Sequence, residues 1–167
     1  MFRHTKGLLC FSNSWDNILL WSHYGNSHTG ICLGFAVSEV HHIEVSYQPN
    51  LLAVGGPADI NLEFVMRLLR TKYEVWSYEQ ELRIFVQMND PPDENGRNWI
   101  PFGENLELKE VIVGAVASPE DSRKAIEICK EHPNVECAWA CMRKDAFSLV
   151  GLNSPLPHLE WPVAGKS

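Results

Sequence analysis

Three charged residues, Glu79, Glu81 and Arg83, form the densest group of chemically capable side chains in the sequence. If all three lie on one β-strand, their side chains point to the same face, because side chains alternate along a strand. Two neighbouring carboxylates can hold different pKa values, which suits acid–base chemistry, and Arg83 can keep one of them ionised or bind an anion. The same spacing also fits a solvated strand face that carries an ion pair.

A histidine and a tyrosine, His23 and Tyr24, close a short apolar segment earlier in the chain. We predict a helix near 17–24 that turns back through 25–30 into a strand, which keeps the end of the helix near a sheet edge. A histidine at a helix C-terminus is stabilised in its charged form, and an opposing carboxylate adds to this. We therefore predict that His23 and Tyr24 approach the two glutamates and Arg83 and complete one catalytic site.

Ring-bearing residues accompany both groups, and they are the candidate ligand-binding residues: Trp21, His28, Trp76 and Tyr78. Aromatic rings beside carboxylates can stack on a nucleotide base or a nicotinamide ring. Filling of the hydrophobic core is the alternative role for these rings. The glycines near 25–34 lack the GxGxxG spacing, so the sequence contains neither a dinucleotide fingerprint nor a P-loop there.

Metal binding and thiol chemistry are weaker alternatives. His23, His28, Cys10 and Cys32 offer suitable atoms, but their spacing matches no closed zinc site, and we assign no metal. Cys10 lies in the apolar run LLCF, where a thiol normally serves as a small hydrophobic group rather than as a nucleophile. The five cysteines form no CxxC pair and no apolar targeting segment precedes them, which favours a reducing cytoplasm and unpaired, mostly buried thiols.

Composition narrows the class of protein. At 167 residues and 45% hydrophobic content, the chain is expected to form a single domain over 1–167 with its own core. The net charge of -7 argues against binding to nucleic acid or to anionic membranes, because phosphate groups favour the opposite sign. The apolar runs are too short to span a bilayer.

Periodicity and capping residues predict three helices, near 17–24, 59–73 and 119–131, the second capped by Asp59 and the third beginning after Ser118. Alternating or continuous apolar runs predict strands at 7–12, 29–36, 43–47, 79–87, 111–116, 135–142 and 147–150. Together they predict an α+β domain with one main, largely antiparallel sheet, with 111–116 at its centre. Residues 152–167 are rich in proline and are expected to be irregular.

Four segments together resemble the pattern of a widespread bacterial family of unknown function. They are CFS at 10–12, NILLWSHY at 17–24, GICLGF at 30–35 and WSYEQELR at 76–83. The corresponding family motifs read CFS, MWSHYA, GxCLGF and WxYExExR, followed by a VxLG strand like the one near 111–114. The resemblance extends from Cys10 to Val116, and it places the family's most distinctive motifs at the two groups chosen above.

The resemblance implies no established reaction, but it suggests how this chain departs from its relatives. Longer members carry an upstream segment with an NDPF-like motif, whereas CFS here lies almost at the first residue. We therefore expect a shortened site, an origin on a mobile element, and exposed apolar surface that favours a homo-oligomer, most simply a dimer.

The family order of strand, aromatic helix and ExE strand is also loosely similar to that of ADP-ribosyltransferases. This similarity implies a small-molecule or nucleotide-binding enzyme remnant with a His/Tyr plus Glu/Arg site. NAD or another nucleotide is the cofactor class it implies. The alternative is a non-catalytic, oligomeric interaction or binding module.

Overall fold

The computed structural model describes residues 6–37, 42–88, 92–103 and 105–153. Helices alternate with strands along these residues, and antiparallel strand pairs outnumber parallel ones. The predicted α+β class is therefore confirmed. The predicted tail from residue 154 onward and part of the predicted turn at 89–98 lie outside the described residues.

The strands, in chain order, are β1 (Lys6–Ser12), β2 (Ile31–Val37), β3 (His42–Glu44), β4 (Ser46–Gln48), β5 (Thr71–Tyr73), β6 (Glu81–Gln87), β7 (Leu106–Val113), β8 (Glu136–Met142) and β9 (Leu149–Leu152). The α-helices are α1 (Ile18–His23), α2 (Leu62–Arg70) and α3 (Pro119–Glu131). Short 3₁₀ helices cover Pro57–Asp59 and Glu74–Glu79. All three predicted helices are present, although the first two are shorter than predicted.

The chain forms two compact units, and each is assembled from two separate segments. Unit 1 contains Met1–Asn17 and Ala36–Glu107, and unit 2 contains Ile18–Phe35 and Leu108–Ser167. The description of 1–167 as a single domain stays a prediction. The expectation of one main sheet is wrong, because the described strands form three sheets.

Unit 1 is organised around a three-stranded antiparallel sheet in the order β1-β6-β3. The register places Cys10 opposite Arg83 and Ser12 opposite Glu81. Because partners in an antiparallel pair lie on the same face, these four side chains share one side of the sheet. Ile84, at the centre of β6, points the other way and is buried.

The second predicted helix is capped and ended differently from the prediction. The side chain of Asn61, rather than Asp59, accepts the Phe64 backbone N–H at 3.0 Å. The Asp59 carboxylate instead accepts the backbone N–H groups of Gly55 and Gly56. The helix also ends earlier than predicted, at Arg70, because the next three residues form β5, which pairs in parallel with β4.

Glu79 lies outside the strand in which it was predicted. It ends the 3₁₀ helix Glu74–Glu79, and β6 begins only at Glu81. Gln80, between them, adopts the left-handed conformation with a φ of 45°. The simple alternation of a strand therefore does not relate Glu79 to Glu81, and a tight turn does so instead.

Unit 2 is built on a four-stranded sheet in the order β2-β7-β8-β9. Val111, Ile112 and Val113 of β7 are buried, which confirms the prediction that this apolar run forms an inner strand. The strand runs from Leu106 to Val113 rather than over 111–116. β7 and β8 are parallel, and β8 forms the predicted antiparallel hairpin with β9, which extends to Leu152.

The turn between α1 and β2 has an unusual backbone. Asn26, Ser27 and His28 all have positive φ angles, between 48° and 67°, which non-glycine residues rarely adopt in succession. Gly114, after β7, donates its N–H to the Gly30 carbonyl at 2.8 Å, and Val116 donates to His28 at 3.1 Å. These bonds fix the turn against the end of the inner strand.

The third helix begins as predicted. The Ser118 hydroxyl accepts the Asp121 backbone N–H at 3.0 Å, and Pro119 occupies the first turn. Ala125 and Cys129 are the buried residues of this helix. Within the described part of the chain, no helix is both long enough and apolar enough to cross a membrane.

Candidate functional site

Two buried carboxylates in unit 1 share one ammonium group. Glu79 and Glu81 are only 4% and 6% exposed. The Lys72 Nζ lies 2.9 Å from Glu81 Oε2 and also forms an ion pair with Glu79 Oε2. A charged carboxylate is almost never this buried without a partner, so Lys72 is a principal member of the site.

Arg83 supplies the second positive charge beside the two carboxylates. Its Nε and Nη2 atoms donate to the two oxygens of Glu81 at 2.8 and 3.2 Å, a bidentate arrangement. Its Nη1 atom donates to the Leu69 carbonyl at the end of α2. The four residues Lys72, Glu79, Glu81 and Arg83 therefore form a buried ion network with two charges of each sign. This network replaces the solvated strand face that the sequence also allowed.

Local structure explains why these groups meet. β5 directly follows α2 and carries Lys72, while Gln80 reverses the chain so that Glu79 and Glu81 approach the same ammonium. The Glu81 backbone N–H donates to the Tyr47 hydroxyl of β4 at 2.8 Å. The Ser12 hydroxyl of β1 donates to the Glu79 carbonyl at 2.6 Å. Tyr47 and Ser12 thus hold the backbone of the two glutamates, while Lys72 of β5 binds their carboxylates.

The network fixes the protonation of Glu81. Burial alone would raise the pKa of this carboxyl, but hydrogen bonds from Arg83, Cys10 and Lys72 outweigh it and lower the pKa to about 2. For Lys72, burial acts to lower the pKa, and the two carboxylates raise it above its usual value. Glu81 is therefore ionised at neutral pH, where it can stabilise positive charge but cannot shuttle a proton.

Cys10 differs from its predicted role as a core residue. The residue as a whole is exposed, but its thiol is partly desolvated on the sheet face that also carries the Glu81 carboxylate. Burial of the thiol and the neighbouring carboxylate raise its pKa to about 11. The thiol is thus protonated at neutral pH, which argues against the nucleophile alternative. The five cysteines all lie among the described residues and form no disulfide, and Cys129 is the buried one.

The candidate aromatic residues of unit 1 lie beside the ion network. The ring centroids of Trp76 and Tyr78 are 5.9 Å apart at an angle of 39°. The Lys72 Nζ lies 5.5 Å from the Trp76 centroid, within range of a cation–π interaction. The Asn17 amide donates to the Tyr78 carbonyl at 3.2 Å. The chain thus positions both rings next to the residue that links the two carboxylates.

The remaining candidates lie in unit 2. The Trp21 and His28 rings are stacked, 6.4 Å apart and 11° from parallel, and the His28 Nε2 lies 3.1 Å from the Ser22 hydroxyl. His23 and Tyr24 form an edge-on ring pair at 6.3 Å, and Tyr24 is 68% exposed. These contacts all come from α1 and the left-handed turn that follows it.

The predicted site residues therefore form two groups. Glu79, Glu81 and Arg83 meet in unit 1, whereas His23 and Tyr24 belong to unit 2. The approach of these two groups stays a prediction. Sequence reasoning missed Lys72, Tyr47 and the position of the Cys10 thiol beside Glu81. The sequence carried no signal for them, because the burial of two glutamates, which calls for a second cation besides Arg83, is visible only in the structure. The described residues contain no group of three or more histidine, cysteine, aspartate or glutamate side chains that could hold a metal ion.

Comparison of the chain with protein-family models, with curated proteins and with solved structures yields no match. The bacterial family suggested by the sequence motifs therefore stays a proposal, as does any activity.

Proposed function

We propose that this chain is a small-molecule-binding domain with an enzyme-like site of the ADP-ribosyltransferase type. Glu79, Glu81 and Arg83 are its central residues, with His23 and Tyr24 as further catalytic candidates. The observation that carries the proposal is the burial of two carboxylates around one shared ammonium. Buried ion networks seldom stabilise a fold more than apolar residues of equal volume would, so their presence favours a functional role.

The charge state of Glu81 supports electrostatic rather than acid–base chemistry. With a pKa of about 2, its carboxylate is ionised under all physiological conditions. A fixed carboxylate can accept a hydrogen bond from a sugar hydroxyl and stabilise the positive charge that develops at a glycosidic carbon. Transfer of a group from NAD passes through such a positively charged sugar. NAD and ADP-ribose are accordingly the first ligands to test.

The aromatic pair supports the same class of ligand. Trp76 and Tyr78 are half-buried beside the network, and planar rings of this kind can stack on a nicotinamide or adenine ring. Trp21 and His28 form a second stacked pair in unit 2, where Trp21 is only 3% exposed, and they are the other proposed ligand-binding residues. Trp76 and Tyr78 become specificity determinants if the ligand is a nucleotide.

A non-catalytic interaction module is the second candidate function. The network is charge-balanced, so it offers no net charge to attract a ligand. Large apolar side chains are also exposed along α2 and the segments flanking it: Ile60, Leu62, Leu68, Tyr73 and Val75. Such surface favours protein partners, and a homo-oligomer, most simply a dimer, is the proposed assembly.

Charge and thiol content support the proposed setting of this function. The net charge of -7 disfavours nucleic acid as a partner, and the unpaired cysteines fit a reducing cytoplasm of a bacterium. Light scattering over a range of concentrations tests the assembly. A monomer at high concentration would contradict the dimer.

Thermal unfolding with NAD, ADP-ribose and nicotinamide tests the proposed function. A ligand at 100 times its Kd stabilises the folded state by about 2.7 kcal/mol, which raises Tm by several degrees. Each variant is compared with its own Tm without ligand, because Glu81→Gln also lowers stability. We expect Glu81→Gln to abolish the shift and Glu94→Gln, in an exposed loop of the same unit, to retain it. Equal ligand-induced shifts in Tm in both variants would show that Glu81 is not part of the site. The absence of a Tm shift with all three ligands would favour the interaction module.

A further inference from the structure

The helix α2 exposes apolar side chains although its sequence is strongly amphipathic. None of its nine residues is buried, and Leu62 is 68% exposed. An amphipathic helix normally buries its apolar side, so a surface of this kind favours a protein partner. We propose that α2 pairs antiparallel with α2 of a second copy of this chain, through ion pairs between Glu63 of each copy and Arg70 of the other. This inference rests on the homo-oligomer proposed above and names its interface.

The charged residues of α2 lie in one stripe along the helix. Glu63, Arg67 and Arg70 are spaced at i, i+4 and i+7, which places them on the same side. All three are exposed, and in the described part of the chain neither Glu63 nor Arg70 forms a side-chain ion pair. Acid in the first turn and base in the last turn also suit the helix dipole, which is the role of these charges in a monomer. The stripe is therefore acidic at one end and basic at the other.

This distribution of charge is self-complementary about a two-fold axis. When two copies of α2 lie antiparallel with the axis near Met66, Glu63 of each copy lies beside Arg70 of the other. Symmetry then forms the ion pair twice, and the two helix dipoles also oppose each other favourably. A parallel pair would place Glu63 beside Glu63 and Arg70 beside Arg70, and like charges repel. The charges of α2 therefore select the antiparallel arrangement.

An apolar stripe borders the charged one. Leu62, Met66 and Leu69 repeat at the same spacing, and each directly precedes a charged residue. Leu62 is exposed, whereas Met66 and Leu69 are half-buried. A helix of nine residues is about 14 Å long, which is too short to supply a stable interface alone. Apolar side chains that are more than half exposed extend the surface at both ends of the helix: Ile60, Tyr73 and Val75.

The net charge of the chain makes a specific contact necessary for self-association. Each copy carries a net charge of -7, so two copies repel each other at long range. The C-terminal half of α2 is locally basic because of Arg67 and Arg70. An acidic side chain of a second copy is attracted there, and Glu63 is the acidic member of the same stripe. The apolar stripe thus supplies contact area, while the charged stripe fixes direction and register.

Sedimentation velocity over a range of concentrations, on charge-reversed variants, tests the interface without any ligand. We expect Arg70→Glu and Glu63→Arg each to raise the Kd of the dimer by about tenfold or more, because each places like charges together twice. The two substitutions change the net charge in opposite directions, so weakening by both is not an effect of net charge. Arg97→Glu, in an exposed loop of the same unit, is the matched control and should leave the Kd unchanged.

Recombination of the charges gives the sharpest test. A mixture of Arg70→Glu chains with Glu63→Arg chains should form heterodimers, because every acidic side chain then faces a basic one. The double variant Glu63→Arg/Arg70→Glu should form homodimers again for the same reason. Circular dichroism checks that each variant is folded. Leu62→Gln, which changes no charge, should also raise the Kd, and it serves as the second test if a charge-reversed variant does not fold.

A dimer that is unaffected by the single charge reversals and by Leu62→Gln would overturn the inference, and the proposed dimer would then form through another surface. Dissociation of the single variants without recovery in the mixture would overturn the pairing of Glu63 with Arg70. A wild-type chain that stays monomeric at high concentration would overturn both the inference and the dimer. Since none of these measurements uses a ligand, a failed NAD experiment leaves the inference standing.

Discussion

Lys72 and Glu81 are joined by a nitrogen–oxygen distance of 2.9 Å, although the first belongs to a short parallel strand pair and the second to an antiparallel sheet. The same ammonium also pairs with Glu79, so one cation links two different parts of unit 1. The stability of this unit therefore depends on a few buried charges, and these can be changed one at a time.

Acid should destabilise the protein through Glu81. Its pKa is about 2 in the folded chain and near 4.5 when unperturbed. The carboxylate therefore contributes stability that is fully present above about pH 4.5 and is lost as the pH falls toward 2, at most about 3 kcal/mol. Urea unfolding at several pH values should show that the free energy of unfolding of the wild type falls with pH over this range. It should fall less steeply in Glu81→Gln. The exposed-loop variant Glu94→Gln should retain the wild-type slope, and an identical slope in Glu81→Gln would contradict the assignment.

Loss of Arg83 should be costly at neutral pH. Arg83→Met leaves Glu81 with less compensation and removes the donor to the Leu69 carbonyl. Breaking a buried pair by removing one partner typically costs about 3–5 kcal/mol. Denaturant unfolding checks this value, with Arg97→Met in an exposed loop expected to stay within about 0.5 kcal/mol of the wild type. A loss below about 1 kcal/mol for Arg83→Met would show that the guanidinium is solvated rather than structural.

Gly114 should tolerate no side chain. A Cβ atom at this position would lie 2.2 Å from the His28 carbonyl oxygen and 2.8 Å from that of Gly30. Both contacts are with backbone, so the turn at 25–30 would have to move. Overpacking of this kind costs about 1–3 kcal/mol or more. Gly114→Ala should therefore lower Tm by several degrees, whereas Gly103→Ala, where a Cβ meets nothing within 4 Å, should change it little.

Removal of one acidic charge from the sheet of unit 2 should stabilise the protein. Glu110 and Glu136 are register partners on the parallel strands β7 and β8. Burial, and then the charge of Glu136, raise the pKa of the Glu110 carboxyl, so the ionised form is disfavoured by folding. Glu136→Gln should therefore add a few tenths of a kcal/mol at pH 7, and the gain should fade as the pH drops below 4.5, where the Glu110 carboxyl with its raised pKa is mostly neutral. Glu131→Gln, exposed at the end of α3, is the control. A gain that persists in acid would have another cause.

Sequence patterns predicted the features that depend on neighbouring residues. The cap at Ser118 and the proline after it located the start of α3, because both act within a single turn. The apolar run at Val111 to Val113 indicated an inner strand, because only a strand covered on both faces accepts such a run. Asp59 was misassigned as a cap because its carboxylate serves the preceding glycines instead.

The features that require distant partners were not predictable in the same way. Lys72 was placed in a helix, but β5 pairs with β4, more than 20 residues earlier, and this pairing overrides the local helical pattern. Glu79 belongs to the 3₁₀ helix before β6 rather than to the predicted strand, although the two glutamates still contact the same cation. The residues of the ion network were thus partly foreseen, while their geometry depended on pairings that the local sequence does not contain.

The pairing of β1 with β6 has a consequence for synthesis on the ribosome. Lys6 is the register partner of Gln87, so the first strand is translated about 80 residues before the end of its partner. At a translation rate of about 5–20 residues per second, this apolar strand remains unpaired for roughly 4–16 seconds. An unpaired strand of this composition is a template for aggregation. The nascent chain should therefore need a chaperone during translation, at a stage when the finished protein's own sheet cannot yet protect it.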